Sequence, residues 1–334
     1  MSAITVVIPT LAADAIIEEC VKSIEAQTFA DHEIIVIDNS GEGRARKRLE
    51  GRRVRIIVNE RNVGYGAAVN QAIRESNSPW IAVLNDDTVT DPGYLEAMMT
   101  AVEPRPDAGM VAPRILLSGG SALDSAGMLL CADGTAKQRG HGAKPDSFPR
   151  RQEILLPSGC AALYRREMLD EVDGFDERFF LYCEDTDLGL RARWKAWECL
   201  YVPGAVVEHR YSHSAGRASA LKAYSVERNR LFVAVKDLPV HMLLAMPFAA
   251  ALRYFWHFVY ALGGRGAAGE MRRSEGGNLQ MVGCVFRAWG ALFANLRPLL
   301  ADRRRIQRTR RLTPKQFSRI LRRYSISPRQ VARQ

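Results

Sequence analysis

The sequence predicts an α/β protein with a mainly parallel sheet flanked by helices, followed by a C-terminal helical region. Two observations predict this class. Short β-branched runs alternate with segments of helical periodicity in the first part of the chain, and the composition turns apolar and then basic after about residue 235. We therefore expect a sheet domain at 1–235, an apolar or amphipathic helical region at 236–300 and a basic tail at 301–334.

The first predicted element is a strand over Ile4–Ile8, which Pro9 and Thr10 end. A helix follows, because apolar side chains recur at helical spacing at Ile16, Ile17, Cys20, Val21 and Ile24. The alternation continues with strands over Glu33–Ile37, Val54–Val58 and Trp80–Leu84 and a helix over Ala67–Glu75. Strands connected in this way pair in parallel, and ligands bind at their carboxyl ends.

The pattern weakens over 108–157 into short apolar runs separated by Gly, Ser and Pro, which predicts a strand-and-loop insertion. A strand over Cys160–Tyr164 and a short helix come next. The stretch Phe175–Arg193 is dense in acidic and aromatic residues and is expected to be a loop leading into a helix. A strand over Val202–Val207 is the last predicted strand of the domain.

The segment His241–Leu262 is apolar apart from its two histidines, Pro247 and Arg253. Because Pro247 and Arg253 interrupt it, we expect an interfacial or re-entrant helix pair at a membrane rather than a spanning helix. Its aromatic side chains suit the headgroup level of a bilayer: Tyr254, Phe255, Trp256, Phe258 and Tyr260. The alternative is a helical hairpin that packs on the rest of the chain or on a second subunit of a homo-oligomer.

The net charge of +10 is concentrated at the C-terminus, since residues 301–334 hold 12 Arg or Lys and a single acid, Asp302. This distribution favours local contact with an anionic membrane surface, with nucleic acid a disfavoured partner and a solvated tail the alternative. The six cysteines have no zinc-like spacing, and the N-terminal MSAITVVIPT lacks the charged and apolar regions of a signal peptide. We therefore expect a cytoplasmic location.

Acidic clusters follow several predicted strands or loops: Asp38, Asp86 with Asp87, and Glu184, Asp185 and Asp187. A lone Asp38 is equally well explained as a turn residue. The buried strand before Asp86 and Asp87, in contrast, delivers two adjacent carboxylates to a sheet edge, where their charges repel. Mg²⁺ or Mn²⁺ would relieve that repulsion, and such ions bind through one or two carboxylates plus the phosphates of a substrate. Asp185 is then a candidate general base.

Ordered motifs extend this interpretation over residues 4 to 235: VVIPT, DNSG at 38–41, NVGYGAAVN at 62–70, LNDD at 84–87 and GFDERFFLYCEDTDLGLR at 174–191. The chain resembles the inverting family-2 glycosyltransferases of GT-A fold, especially bacterial rhamnosyltransferase-like members. Five motifs in this order make the resemblance specific. Arg193 and Trp194 lack the spacing of the motif found in processive members, which favours transfer of a single sugar.

The resemblance implies roles for particular residues. Pro9, Asp38, Asn62, Gly64 and Asp86 match positions that bind the donor nucleotide. Asp87 and His209 match metal ligands, and Asp185, with Glu184 beside it, matches the catalytic base. Ser214, Arg228 and Asn229 also fit the family pattern. Asn85 stands where the family places its first acid, which leaves the ligands within 85–87 open by one position, and Cys160 is expected to be a core residue with no histidine placed to activate it.

The resemblance further implies transfer of rhamnose from dTDP-rhamnose to a polyprenyl-diphosphate-linked acceptor in cell-wall or surface polysaccharide synthesis, at the cytoplasmic face of a bacterial membrane. The insertion at 108–157 would then shape the acceptor site. A UDP-sugar transferase of the same fold, for galactosyl, galactofuranosyl or N-acetylhexosaminyl groups, is one alternative. A non-catalytic membrane or RNA adaptor, built on the basic tail, is the other.

Overall fold

The computed structural model of the protein describes residues 2–210, 220–262 and 277–333. Their contacts form two compact units. Unit 1 comprises Met1–Met128 and Gln138–Ser214, and unit 2 comprises Leu129–Lys137 and Ala215–Gln334. These units differ from the three predicted segments, because a hairpin from the middle of the sequence joins the C-terminal part and the last sheet strand ends near residue 210.

Most strands belong to one large sheet. They are β1 (Ile4–Thr10), β2 (His32–Asp38), β3 (Arg55–Val58), β4 (Trp80–Leu84), β5 (Thr88–Thr90), β6 (Ala108–Leu117), β7 (Leu123–Ser125), β10 (Gln152–Ile154), β11 (Ala161–Arg165) and β12 (Glu198–His209). Their order is β10-β12-β6-β11-β4-β1-β2-β3, with β5 paired to β12 and β7 to β6. The strands β8 (Met128–Leu130) and β9 (Ala136–Gln138) form a separate hairpin.

The sheet is mixed, and parallel pairs supply most of its paired residues. β1 runs parallel to both β2 and β4, β2 to β3, and β6 to β12. β11 is antiparallel to its neighbours β4 and β6. The mainly parallel α/β class is therefore confirmed, and β1, β2 and β4 are the part of the sheet whose carboxyl ends meet at one edge.

Helices cover both faces of the sheet in unit 1. They are α1 (Ile16–Glu25), α2 (Arg44–Arg48), α3 (Tyr65–Arg74), α4 (Tyr94–Val102), α5 (Arg166–Val172) and α6 (Glu184–Trp194). Two buried apolar clusters result, one with side chains of α1 and α4 and the other with side chains of α3, α5 and α6. The two clusters take alternate residues of the strands, such as Val6 and Val7 of β1, as a sheet buried on both faces requires.

The predicted elements of unit 1 are present, with two differences. The region 108–157 contains β6, a ten-residue strand in the interior of the sheet, and is therefore more than an insertion. The last strand is also longer than predicted, because β12 extends over Glu198–His209 and pairs with β6 along most of its length. The interior position of β6 and the length of β12 are both determined by pairing between segments that are distant in sequence, which a local sequence pattern does not predict.

Unit 2 is helical around the 129–137 hairpin. Its helices are α7 (Ala220–Asp237), α8 (Val240–Leu262), α9 (Gly277–Thr309), α10 (Pro314–Arg323) and α11 (Pro328–Arg333). Within the predicted basic tail, Phe317 and Leu321 of α10 and Val331 of α11 are buried. Leu130 of the hairpin exchanges backbone hydrogen bonds with Tyr324 and Ile326. The C-terminal residues are therefore a folded part of this unit.

The apolar segment is one helix, α8, which continues through Pro247. The helix pair expected from Pro247 and Arg253 is therefore wrong. Arg253 is buried and bonds Asp133 at 2.6 Å and Glu227 at 2.8 Å, so its charge is matched inside unit 2. By length and composition, Val240–Tyr260 would be able to cross a membrane, and only 17% of its apolar stretch is buried.

Candidate active site

The strands β1, β2 and β4 end in polar residues at one edge of the sheet. Thr10, the last residue of β1, is the register partner of Asp38 in β2. Thr10 also donates a hydrogen bond through its Oγ1 to Oδ2 of Asp86 at 2.5 Å. The predicted donor residues Pro9, Asp38 and Asp86 therefore share the carboxyl edge at which sheets of this kind bind ligands.

Asp86 and Asp87 stand side by side after the buried strand β4. Burial raises the pKa of Asp86 to about 6, and the neighbouring charge of Asp87 adds to the shift while the hydrogen bond from Thr10 opposes it. Asp87 itself is buried. The repulsion inferred from the sequence is thus present in the folded chain, and a hard divalent cation would relieve it.

His209 lies between two carboxylates. Its Nε2 is 3.4 Å from Oδ2 of Asp87, and its Nδ1 is 2.8 Å from Oδ2 of Asp124. The other oxygen of Asp124, Oδ1, is 3.0 Å from Nδ1 of His141. Burial would lower the pKa of His209, but Cys160 and the two carboxylates raise it by more, and the net pKa lies above the ordinary value.

The separation between Asp87 and His209 fits two ligands of one ion. Bonds of ~2.1 Å from carboxylate oxygen and imidazole nitrogen to a metal place neighbouring ligand atoms about 3.0–3.4 Å apart. The observed 3.4 Å between Oδ2 and Nε2 lies in this range. The two predicted metal ligands are therefore adjacent, and Asp86 is next to them in the chain.

Cys160 also lies beside His209, which corrects the expectation that no histidine is placed near it. The side chains hydrogen-bond, and the ligand atoms of Asp124, Cys160 and His209 lie within 4.8 Å of one another. Residues 160 and 209 are far apart in sequence, but Cys160 immediately precedes β11 and His209 ends β12 of the same sheet, so only the topology reveals their proximity. Burial raises the pKa of Cys160 despite His209, and the thiol is therefore protonated rather than a ready nucleophile.

Glu184 and Asp185 are the first residues of α6, and their carboxylates differ in hydrogen bonding. Asp185 accepts hydrogen bonds from the backbone N–H of Gly159 at 2.7 Å and of Thr186 at 2.6 Å. Oε2 of Glu184 is buried and has no hydrogen-bond partner in the described part of the chain. Burial and the neighbouring Asp185 raise the pKa of Glu184 to about 8, and burial also raises the pKa of Asp185.

The segment Ser158–Cys160 connects the candidate base to the candidate metal ligands. The N–H of Gly159 holds Asp185, and the next residue, Cys160, bonds His209 with its side chain. The Cys160 carbonyl accepts from the N–H of Asn85 at 2.9 Å, immediately before Asp86. The structure therefore brings the two predicted groups to one short stretch of backbone.

The predicted donor loop at Asn62 and Gly64 packs closely on the segment before α6. Oδ1 of Asn62 accepts from the N–H of Gly64 at 2.9 Å, and the Phe180 carbonyl accepts from the N–H of Tyr65 at 2.7 Å. Gly64 has φ +90, and a Cβ there would lie 2.7 Å from the Phe180 oxygen. Only glycine allows this approach, which holds the loop at the start of α3.

Asp38 has a clear structural role. It is buried, and its two carboxylate oxygens accept from the N–H groups of Ser40 at 2.9 Å and Ala45 at 2.7 Å, which fixes the turn before α2. Its contact with a nucleotide base stays a prediction, as do the donor roles of the other loop residues. Ser214 lies outside the described residues, and Arg228 and Asn229 belong to α7 of unit 2.

A sequence profile for Glycosyl transferase family 2 matches residues 5–173, about half of the chain. The chain belongs to this family. A relative from Mycobacterium tuberculosis strain H37Rv, N-acetylglucosaminyl-diphospho-decaprenol L-rhamnosyltransferase, is 36% identical over 201 residues, covering 51% of this chain and 64% of that relative. The match thus spans less than two thirds of the relative's length.

Solved glycosyltransferase structures share the fold of this family-2 protein. A mannosyltransferase from Pyrobaculum calidifontis in complex with GDP-Man and Mn²⁺ aligns with a TM-score of 0.53 and 14% identity, over 96% of this chain and 84% of that one. GalNAc-T7 with UDP, GalNAc and Mn²⁺ aligns with a TM-score of 0.54 and 14% identity, over 69% of this chain and 47% of that one. At these identities the comparison establishes the GT-A-type fold.

Sequence reasoning missed Asp124 and His141. Both lie in the region 108–157, where the apolar runs are too short to show the residue spacing of a strand or helix, so the position of a side chain could not be predicted. Asp124 reaches the site because β7 pairs with β6, which in turn pairs with β12 next to His209. No local motif marks it, so only the pairing of these strands identifies it.

Proposed function

We propose that this family-2 protein is an inverting transferase that moves one rhamnose from dTDP-rhamnose to a hydroxyl of a polyprenyl-diphosphate-linked glycan at the cytoplasmic face of a bacterial membrane. The observation that carries the proposal is the connection, through Ser158–Cys160, of a buried carboxylate pair with the Asp87–His209 pair. The rhamnosyltransferase relative, whose name includes a decaprenol diphosphate, supports the choice of sugar and lipid.

Asp185 acts as the general base in this proposal. It takes the proton from the acceptor hydroxyl as that oxygen attacks the anomeric carbon, and the nucleoside diphosphate leaves from the opposite face of the sugar. The N–H groups of Gly159 and Thr186 fix the orientation of the Asp185 carboxylate. Burial and the neighbouring Asp185 raise the pKa of Glu184, whose Oε2 has no hydrogen-bond partner in the described residues, so we assign the proton of the pair to Glu184. Asp185, which accepts from two N–H groups, is then the basic member.

Asp87 and His209 would hold Mg²⁺ or Mn²⁺, with Asp86 directly beside them. Such an ion, when bound, stabilises the negative charge that develops on the leaving diphosphate. Thr10 holds Asp86 at the strand edge by the 2.5 Å hydrogen bond. Asp86 is the residue we assign to the ribose side of the donor, with Asn62 and Gly64 covering the nucleotide.

Unit 2 supplies a surface for a lipid-linked acceptor. Large apolar side chains lie exposed along one face of α8: Val240, Leu244, Phe248, Leu252, Phe255 and Phe258. α9 adds exposed Val282, Phe286 and Phe293. Large apolar side chains exposed on helices are typical of membrane contact, and the basic residues of 301–334 favour anionic lipid. We therefore assign these faces of α8 and α9 to a bilayer surface.

Thermal unfolding with a panel of nucleotide sugars tests the donor assignment, because a ligand that binds only the folded state raises the unfolding temperature. We expect dTDP-rhamnose with Mn²⁺ to stabilise the protein more than UDP-galactose or UDP-N-acetylglucosamine. The shift should be absent in Asp87→Asn and retained in the matched variant Asp146→Asn, whose acid is exposed. If a UDP-sugar stabilised the protein more than dTDP-rhamnose, the donor would instead be a UDP-sugar.

The non-catalytic adaptor predicts a different outcome. It predicts no stabilisation by any nucleotide sugar, with vesicle or RNA binding as the sole activity. The connection between Asp185 and the Asp87–His209 pair has no role in an adaptor, and for this reason we favour the enzyme.

A further inference from the structure

We propose that Asp124 is a positioning residue that holds the His209 ring with Nδ1 as hydrogen-bond donor and Nε2 turned toward Asp87, and that His141 holds Asp124 in turn. The inference rests on the proposed function, since it concerns the metal site of that reaction. It adds two residues that lie outside the family motifs and do not contact the reacting groups.

The first support is the geometry of the hydrogen bonds. A carboxylate accepts hydrogen bonds, so Nδ1 of His209, which lies 2.8 Å from Asp124, carries hydrogen. Nε2 faces Asp87 at 3.4 Å and would give up its own hydrogen to bind an ion shared with that carboxylate. A carboxylate on the second nitrogen is the usual arrangement behind a metal-binding histidine, where it fixes the tautomer and the ring orientation.

The second support is the rigidity of the backbone that carries these residues. His209 ends β12, where it is the register partner of Leu117 in β6, and Leu116 of β6 pairs with Leu123, next to Asp124 in β7. Asp124 is 2% exposed. Three adjacent strands therefore fix the distance between the two side chains, and the carboxylate has little room to turn away.

The third support is the use of the second carboxylate oxygen. Oδ1 of Asp124 meets Nδ1 of His141 at 3.0 Å, while Oδ2 meets His209. With an imidazole on each oxygen, the carboxylate plane is fixed in both directions. A residue that served only to stabilise β7 would not need both oxygens on histidine nitrogens.

Direct Mn²⁺ binding by the purified full-length protein, measured by calorimetry, tests the inference without relying on activity. We expect Asp124→Ala to weaken Mn²⁺ binding roughly 10–100-fold, as for other residues behind metal ligands. Asp124→Asn should weaken it less, because its amide oxygen still accepts from Nδ1. The matched control Asp146→Ala, an exposed acid in the same connection, should bind as the wild type does. His141→Ala should fall between Asp124→Ala and this control.

Spectroscopy of the bound ion detects its ligands directly, and this signal would not change if a substitution only destabilised the fold. At saturating Mn²⁺, pulsed electron paramagnetic resonance should detect a histidine nitrogen bound to the ion in the wild type and in Asp124→Asn. The nitrogen signal should be absent in His209→Ala and weakened in Asp124→Ala. If Asp124→Ala fails to fold, the wild type alone decides the matter, because a ¹H–¹⁵N spectrum of the Mg²⁺-loaded protein reports which His209 nitrogen carries hydrogen.

The possible failures are distinguishable. A wild type that binds no Mn²⁺ would overturn the metal site of the proposed function. A wild type that binds Mn²⁺ through His209, with Asp124→Ala binding equally well, would overturn the positioning role alone. Equal losses in Asp124→Asn and Asp124→Ala would make Asp124 a ligand instead, and a His209 with hydrogen on Nε2 rather than Nδ1 would also contradict the inference.

Discussion

The two acidic pairs at the site differ in what relieves their charge. Asp87, beside Asp86, lies 3.4 Å from His209 at the carboxyl edge of the sheet, where an ion could bind. At Glu184 and Asp185, a proton on Glu184 relieves the repulsion. In the proposed function, the same kind of side chain would therefore serve metal binding in one pair and proton transfer in the other, because the neighbouring groups and hydrogen bonds differ.

The proton on Glu184 predicts how stability depends on pH. Its pKa is raised to about 8 in the folded protein from the ordinary 4.5, so its contribution to the free energy of unfolding is fully present below about pH 4.5 and is lost as the pH rises through 8. In excess chelator, we expect the urea midpoint to fall between pH 5 and pH 9. Glu184→Gln should flatten this dependence, and an unchanged slope in this variant would contradict the assignment.

Residues that follow a strand in the local sequence were predictable, and residues brought in by strand pairing were not. Asp86 and Asp87 directly follow the buried strand β4, so their place at the sheet edge could be inferred from the sequence alone. Asp124 and the proximity of Cys160 to His209 depend on which strands lie next to each other. The order of the strands depends on contacts between distant residues. The spacing of apolar residues, every two in a strand or every 3.6 in a helix, does not predict it.

At the level of elements, the start of α3 depends on Gly64. We expect Gly64→Ala to lower the free energy of unfolding by about 1–3 kcal/mol, because a side chain at φ +90 is strained and its Cβ would meet the Phe180 carbonyl at 2.7 Å. Gly93→Ala is a matched control before α4, where φ is −91 and a Cβ would meet nothing within 4 Å. Urea unfolding measures both, and equal effects would show that the close approach carries no cost.

The two faces of α8 explain why its sequence was misjudged. Pro247 and Arg253 looked like interruptions of an apolar segment, yet the helix is continuous and Arg253 is bonded to Asp133 and Glu227. The apolar character of the segment is evident from its sequence. The sequence does not show, however, which face of the helix will bring a charged side chain to its partner. The exposed side remains apolar over most of the length of the helix.

Substitution on that exposed side tests the assignment to a bilayer. Leu244→Glu and Phe248→Glu should each weaken binding to anionic lipid vesicles by about tenfold or more, since each removes an apolar side chain worth ~1.5–3 kcal/mol when buried. Leu221→Glu changes another exposed leucine, on α7, and as the matched control it should bind normally. Cosedimentation with vesicles measures the effect. Unchanged binding in both α8 variants would contradict the bilayer assignment.

At the level of the whole molecule, the C-terminal residues are part of a fold. Truncation at residue 300 would remove Phe317, Leu321 and the partners of Leu130, and so expose the interior of unit 2. Loss of function after such a truncation would therefore not separate an adaptor from an enzyme. Charge reversal at exposed arginines such as Arg304 and Arg308 tests lipid attraction with the core intact.

The class of fold and the order of most elements of unit 1 were predictable, because strand runs and helical periods there are strong and local. The grouping of the chain into two units was not. The hairpin 129–137 belongs with the C-terminal helices through contacts such as Asp133 with Arg253, whose partners are far apart in sequence. Changes in amino-acid composition showed where the chain becomes apolar and then basic. The boundaries of the compact units depend instead on such long-range contacts.

The most direct test of the central claim is sugar transfer by the full-length protein, followed by mass spectrometry. With dTDP-rhamnose, Mn²⁺ and a polyprenyl-diphosphate-linked N-acetylglucosamine acceptor, we expect the addition of one rhamnose, lost in excess chelator. Asp185→Asn should reduce the rate by about 10²–10⁴-fold while Asp170→Asn, an exposed control, retains it. Full transfer in excess chelator or by Asp185→Asn would contradict the account, as would no transfer from any nucleotide sugar by the folded protein.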